Sequence, residues 1–433
     1  MGIDVGLMGL GLLGLLLVMR IPVSASLIIV SFFGISMLIG TGPALGVLSN
    51  TPYSFVAKWT MSAVPMFLLM GFVAFHTGMT GGLFEAAKVV LARLPGGLAI
   101  SSIFACSAFA AVSGSSLATA AAMGRIAIPE MVTAGYRPSF AAGCIAAGGT
   151  IGALIPPSIL MIIYGVIAET SITSVFVGGF SIGILTAVGY SLVVIFYAVT
   201  RPDVVPRRPE NMPEQPQGAL LKVLPILALV VLVFGGLFSG LFTATEAGAV
   251  GALGTILLSL ATGKLTREAF SNSVMETVMT TGSLLIIGIG ATMFTRFLGI
   301  SGLSGFISGA VEGAELGYFG LMLIIVVIYL ILGTFMEPFG AMLVTLPIFL
   351  PVLEGQGISL IWFGVLVVKL LEIGMITPPV GLNVFVIRNV ASEYASVVQI
   401  FKGVIPFLIA DIFVVALVIA FPAIVLFLPE LLK

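Results

Sequence analysis

The sequence predicts an all-α polytopic membrane protein made of two related halves. Each half carries about five transmembrane helices and one re-entrant helical hairpin. Composition, the lengths of the apolar runs and a long-range internal repeat predict this. Hydrophobic residues make up 59% of 433 positions and charged residues 8%, with a mean hydropathy of +1.26. A soluble domain carries about 25% charged residues, so this chain cannot build an ordinary wetted surface. The net charge is −1, which excludes the basic surface that nucleic-acid binding needs. Two cysteines, Cys106 and Cys144, both lie in apolar runs and read as small core residues. The first 20 residues lack the basic region and cleavage site of a signal peptide, so they read as a retained span.

A spanning helix needs about 20 mostly apolar residues. Runs of that kind cover roughly 3–19, 21–40, 57–76, 138–165, 174–200, 219–240, 244–262, 277–298, 360–388 and 402–428. Two further runs are interrupted: 98–133 at Ser113-Gly114-Ser115-Ser116, and 318–353 at Gly333 to Pro338. Their halves are expected to be too short to span, which makes each a re-entrant hairpin. Segments 82–94 and 300–315 are only partly apolar. They suit helices lying in the membrane interface or plain connecting helices.

The polar, proline-rich stretch 201–218 divides the chain into 1–200 and 219–433. A shift of 222 residues lays Gly152, Pro156 and Pro157 over Gly374, Pro378 and Pro379, and Pro129 over Pro351. It also superposes the two hairpin interruptions, and Gly78 and Gly81 match Gly299 and Gly302 at 221. Five spans and a hairpin per half would make the halves an inverted repeat. Lys and Arg residues agree with this: an external N-terminus puts 13 of the 17 on the cytoplasmic side.

Paired interruptions in inverted halves are the sequence mark of a transporter binding site, because lipid cannot satisfy the freed backbone groups. The carbonyls released by proline, with Ser and Thr hydroxyls, are hard oxygen ligands suited to Na⁺. Ionisable residues inside spans are costly and usually functional; Glu337, Lys369 and Glu372 qualify. Lys369 and Glu372, three apart, are placed to pair on one helix face. Arg125 follows the first interruption and suits either contact with an anionic substrate or topology-setting. The Gly9–Gly14 dinucleotide-like spacing lies in an apolar span without a preceding strand, and no phosphate-binding loop is present. With one histidine and two separated cysteines, the chain offers no support for an intramembrane enzyme. Closed hairpins favour a carrier over a passive channel.

The runs SGSSLATAAAMGRIAIPEM (113–131), GGTIGALIPPSILMIIYG (148–165), LGTFMEPFGAMLVTLPIFLPV (332–352) and LEIGMITPPVGLNVFVI (371–387) resemble the large membrane subunit of tripartite ATP-independent periplasmic (TRAP) transporters. The resemblance runs over essentially the whole chain. It implies a Na⁺-driven importer of organic acids, such as C4-dicarboxylates or sialic acid, in the bacterial inner membrane. A periplasmic solute-binding protein and a separate small four-helix membrane subunit would be partners, with lipid around the chain. By motif, one Na⁺ site would use Ser113, Ser115, Ser116, Gly152 and Pro156. A second would use Gly333, Thr334, Gly374, Thr377 and Pro378. Substrate would lie near Ser116, Glu337 and Asn383, with Arg125 a further contact. Arg125 and Lys369 depart from the residues usual in the family. A stand-alone anion symporter of similar build is the alternative.

Overall fold

The computed structural model describes residues 2–79, 81–91, 93–207, 219–314 and 317–432, and no strand occurs among them. Most of the linker, Arg208 included, and Glu315 lie outside the described residues. The first half opens with α1 (Gly2–Val18), α2 (Val23–Ile39), α3 (Thr41–Val56), α4 (Ala63–His76, preceded by a 3-10 turn at Trp59–Ser62) and α5 (Gly81–Leu91). It continues with α6 (Gly97–Ser113), α7 (Ser116–Thr133), α8 (Pro138–Thr150), α9 (Ile159–Ile167) and α10 (Ile172–Thr200). The second half opens with α11 (Ala219–Phe238), α12 (Ala244–Ala261), α13 (Arg267–Ser301), α14 (Leu303–Gly313) and α15 (Gly317–Phe335). It closes with α16 (Pro338–Gly355), α17 (Leu360–Gly374), α18 (Leu382–Val390), α19 (Val397–Ala420) and α20 (Ala423–Leu431).

Among the described residues, seven stretches are long and apolar enough to cross a membrane: 59–76, α10, α12, α13, α15, α16 and α19. Two of these correct the expected lengths. With 19 and 18 residues, α15 and α16 are not too short to span. At 1.5 Å per residue each is about 28 Å long, close to the roughly 30 Å hydrocarbon core. Helix α3 was not expected, because its sequence TGPALGVLSNTPYSFV is too polar for a hydropathy window. Helix α13 begins ten residues before the apolar run at 277. Thr266 caps it by accepting from the Ala269 amide at 3.0 Å, and its first turns carry Glu268 and Glu276.

The helices pack as two groups. In the first, α13 lies against α2, α3 and α4, α12 pairs with α4 and α11, and α1 joins α2. Small residues allow the closeness: Gly9 and Gly34 seat the Phe297 ring, and Gly288 seats Phe55. The second group gathers α6 to α10 with α15, α17, α18, α19 and α20. Between them, α4 meets α6 and α9, while α16 bridges α13 and α14 on one side and α17 on the other. Helix α5 packs on α6 and α11, where buried Lys88 pairs with Glu85 and Glu130 at 2.8 Å each. Large apolar side chains such as Leu192, Phe196, Val231, Leu257, Ile331 and Phe413 are exposed. That surface is stable in lipid, which exacts no penalty for it.

Candidate functional site

Each sequence interruption folds as a helix break. Gly114, at positive φ, stops α6, and Ser115 caps α7 by accepting from the Ala118 amide at 3.4 Å. Met336 and Glu337 form the turn between α15 and α16, with Pro338 in the first turn of α16, where its missing amide costs nothing. The other two breaks separate α8 from α9 and α17 from α18. Pro156-Pro157 and Pro378-Pro379 are both joined by cis peptide bonds. The first break is buried throughout, whereas Pro378 and Pro379 are exposed.

Both turns open on one cavity of about 410 Å³, a volume in the range of small-ligand sites. Ser113 to Ala118 line it from the first turn and Glu337 to Phe339 from the second. Glu372 and Met375 close one wall, while Gly71, Phe72 and Phe75 of α4 and Glu276 and Thr280 of α13 form the other. The cavity therefore lies between the two helix groups. Gly71 is required there, since a Cβ would stand 2.8 Å from the Ser113 carbonyl oxygen.

Oxygen atoms converge at the first break. The Ser113 and Thr119 hydroxyls lie 3.1 Å apart, and Thr119 donates to the Ser115 carbonyl at 2.7 Å. A Cβ on Gly152 would come within 3.0 Å of both the Ser115 carbonyl and Thr119 Oγ1. Gly114 rests directly on the Pro157 carbonyl. Ser113, Ser115, Ser116 and Gly152 are thus brought together, with buried Pro156 in the adjoining break. At the second break Gly333 packs backbone to backbone on Gly374, as only paired glycines allow. Thr334 and Thr377 donate to the Ile331 and Ile373 carbonyls at 2.7 Å, leaving their lone pairs free.

The remaining expected residues separate. Glu337 lines the cavity; Arg125 is exposed along α7 and does not. Asn383 is fully buried behind the break, with Nδ2 donating to the Ala146 carbonyl at 3.4 Å and Oδ1 lacking a partner. Lys369 and Glu372 do not pair with each other, contrary to expectation. Lys369 Nζ reaches Asp411 Oδ1 at 2.5 Å, whereas Glu372 Oε1 accepts from Ser116 Oγ at 2.6 Å. Tertiary neighbours on α19 and at the first turn outcompete the i,i+3 partner. Asp411 also accepts from the Tyr190 hydroxyl at 2.8 Å, and Tyr190 meets Thr150 at 3.3 Å.

Sequence reasoning missed Asp411, Thr119 and Glu276. Asp411 interrupts an apolar run just as Lys369 does, so the same signal would have found it. Glu276, 3.2 Å from His76 Nε2, stands one residue before the expected span. Among the described residues no group of three His, Cys, Asp or Glu side chains is set to hold a metal. What the breaks offer is hydroxyl and carbonyl oxygen, the chemistry of hard cations.

The chain resembles known proteins throughout. Residues 10–424 match the family described as "Tripartite ATP-independent periplasmic transporter, DctM component". A C4-dicarboxylate TRAP transporter large permease protein, DctM of Pseudomonas aeruginosa, is 36% identical over 86% of each chain. The sialic acid TRAP transporter large permease protein SiaM of Vibrio cholerae is 33% identical over 97% of each. In fold, the chain resembles the YdaH transporter of Alcanivorax borkumensis, with a TM-score of 0.64 at 14% identity over 88% of this chain and 89% of that one. With a family match across nearly its full length and relatives above 30% identity, the chain belongs to the DctM family, the large permease component of TRAP transporters, and is a membrane transport protein, not an enzyme.

Proposed function

We propose that this chain is the permease subunit of a Na⁺-coupled importer of organic acids in a bacterial inner membrane. A periplasmic solute-binding protein would deliver cargo and a small four-helix subunit would brace the scaffold. The observation that carries the reading is the single cavity lined by both helix-break turns on one side and by α4 and α13 on the other. Its cargo would be a small carboxylate of the kind named for the relatives, a C4-dicarboxylate or a sialic acid.

The residues present fit Na⁺. Ser113, Ser115 and Ser116 with the backbone at Gly152 and Pro156 would hold one ion. Thr334 and Thr377 with the backbone at Gly333, Gly374 and Pro378 would hold another. Bound Na⁺ supplies positive charge that draws each break together and offsets an anionic cargo. The Ser116, Thr334 and Thr377 hydroxyls give up little by turning to the ion, because their present bonds are donated, not accepted, whereas Ser115 would share its oxygen with the Ala118 amide. Substrate would sit beside Ser116 and Glu337. Asn383 supports the second break from behind, and Arg125, exposed along α7, stands away from the cavity.

Inverted halves would bring the first hairpin in from the cytoplasm and the second from the periplasm. The group of α6–α10 and α15–α20 would then move as an elevator against α1–α4 and α11–α13. Close, small-residue contacts such as Gly71 on Ser113 suit a sliding interface. The test is uptake of succinate and of sialic acid into proteoliposomes holding the chain with its two partners. Uptake should require an inward Na⁺ gradient and no ATP. Unchanged uptake with Na⁺ absent on both sides would refute the coupling.

A further inference from the structure

Among the described residues, Lys369, Glu372 and Asp411 are the most deeply buried acidic and basic side chains of the second helix group, at 1%, 1% and 0% exposure. Two of them cancel. Lys369 and Asp411 form a 2.5 Å pair, and the second Asp411 oxygen takes the Tyr190 hydroxyl. Glu372 makes no ion pair, because Lys369, one turn away on the same helix, is engaged by Asp411. Its Oε1 accepts from Ser116, and its Oε2 is buried with no hydrogen-bond partner. Both Glu372 and Ser116 line the cavity, as do Glu276 and Glu337, and among the described residues no Lys or Arg does. A buried carboxylate that makes no ion pair and takes a single hydrogen bond, here from Ser116, is strongly disfavoured in its charged form, because burial strips most of its hydration.

We propose that Glu372 Oε2 and Ser116 Oγ form a cation subsite on the cavity wall, occupied by one monovalent cation during the transport cycle. The inference rests on the carrier reading above and adds a charged oxygen to groups that are otherwise neutral. The cation comes from one of two sources of shared chemistry: a coupling Na⁺, or the ammonium group of a zwitterionic cargo. Ser116 belongs to the first turn and Glu372 to α17, so a cation held by both ties the turn to the helix that leads into the second break. Glu276 and Glu337, more exposed, draw cations towards the same cavity.

The purified protein in nanodiscs tests this through its thermal unfolding midpoint. One arm titrates NaCl, with choline chloride holding ionic strength constant. The other compares succinate with 4-aminobutyrate, which carries an aminomethyl group in place of one carboxyl, at fixed NaCl. Glu372→Gln keeps the shape and the contact with Ser116 but removes the charge. If Na⁺ occupies the subsite, the half-saturating Na⁺ concentration rises about tenfold or more in this variant. If the cargo nitrogen occupies it, the Na⁺ response stays and stabilisation by 4-aminobutyrate is lost. Equal responses of wild type and Glu372→Gln in both arms overturn the subsite. So does a wild type that neither Na⁺ nor 4-aminobutyrate stabilises. If the Gln variant does not fold, Glu372→Asp retracts the charge by one methylene. A weakened response in either arm then supports the subsite, and an unchanged one overturns it. A wild type that answers to 4-aminobutyrate but not to Na⁺ keeps the subsite while removing Na⁺ coupling from the proposed function.

Discussion

Asp411→Leu should be among the most destabilising substitutions in this chain, and a second substitution should largely repair it. Asp411 on α19 holds Lys369 of α17 at 2.5 Å and receives the Tyr190 hydroxyl of α10 at 2.8 Å. Tyr190 in turn meets Thr150 at the end of α8, so the cluster pins four helices of the second group. Removing the carboxylate leaves the Lys369 ammonium, 1% exposed, without its hydrogen-bonded partner and with the Tyr190 ring 5.7 Å away. Breaking one side of a buried pair costs about 3–5 kcal/mol. A lone lysine at the centre of a spanning helix costs about 2.5–3.5 kcal/mol. Both estimates meet near 3 kcal/mol, and Tyr190 adds little because Thr150 still serves it. Lys369→Met combined with Asp411→Leu removes both charges and fills similar volume, so it should recover most of the loss. Heating solubilised protein and following the monodisperse fraction by size exclusion reads all three variants. If Asp411→Leu costs under about 1 kcal/mol, or the double variant is no better than the single, the pair is not the isolated buried couple described here.

Two further outcomes concern the cavity. Gly71→Leu should cut uptake at least about tenfold while leaving insertion and the yield of folded protein near wild type, since its Cβ would press on the Ser113 backbone, which cannot rotate aside; transport assays paired with size exclusion check this, and wild-type uptake would show that α4 and the first turn need not be close. Ser115→Ala and Thr377→Ala should each raise the half-saturating Na⁺ concentration about tenfold, as loss of one hydroxyl ligand costs about 1–3 kcal/mol. Ser115→Ala should also lower stability by about 1 kcal/mol through the lost cap on α7. Wild-type Na⁺ responses in both variants would make these hydroxyls purely structural.

Much of this arrangement is legible without coordinates because lipid removes the usual ambiguity. In a bilayer an apolar run of sufficient length has to be a helix, so most spans follow from composition alone. The breaks are equally plain, since Gly, Pro and Ser clusters interrupt runs that are otherwise mostly apolar. What hydropathy conceals is any helix that is polar and packed: α3, and the first turns of α13 that bring Glu276 to the cavity. Length counting also misled at α15 and α16, which reach further than the interrupted pattern suggested.

Sequence by itself determined the class of protein, most of the helical spans, the positions of the four breaks and the residue types that supply oxygen there. All of these follow from local rules: hydropathy, proline chemistry and the repeat in register. Only the tertiary structure decided the partners. Glu372 turns to Ser116, 256 residues away, and Lys369 turns to Asp411 instead of its neighbour on the same helix. Arg125 stays on an outer face while Glu276 enters the cavity. Such choices depend on which charge finds an opposite charge at contact distance once water is gone. That distance is set by helices packed from remote parts of the chain, where burial makes one 2.5 Å pairing outweigh any preference along a single helix.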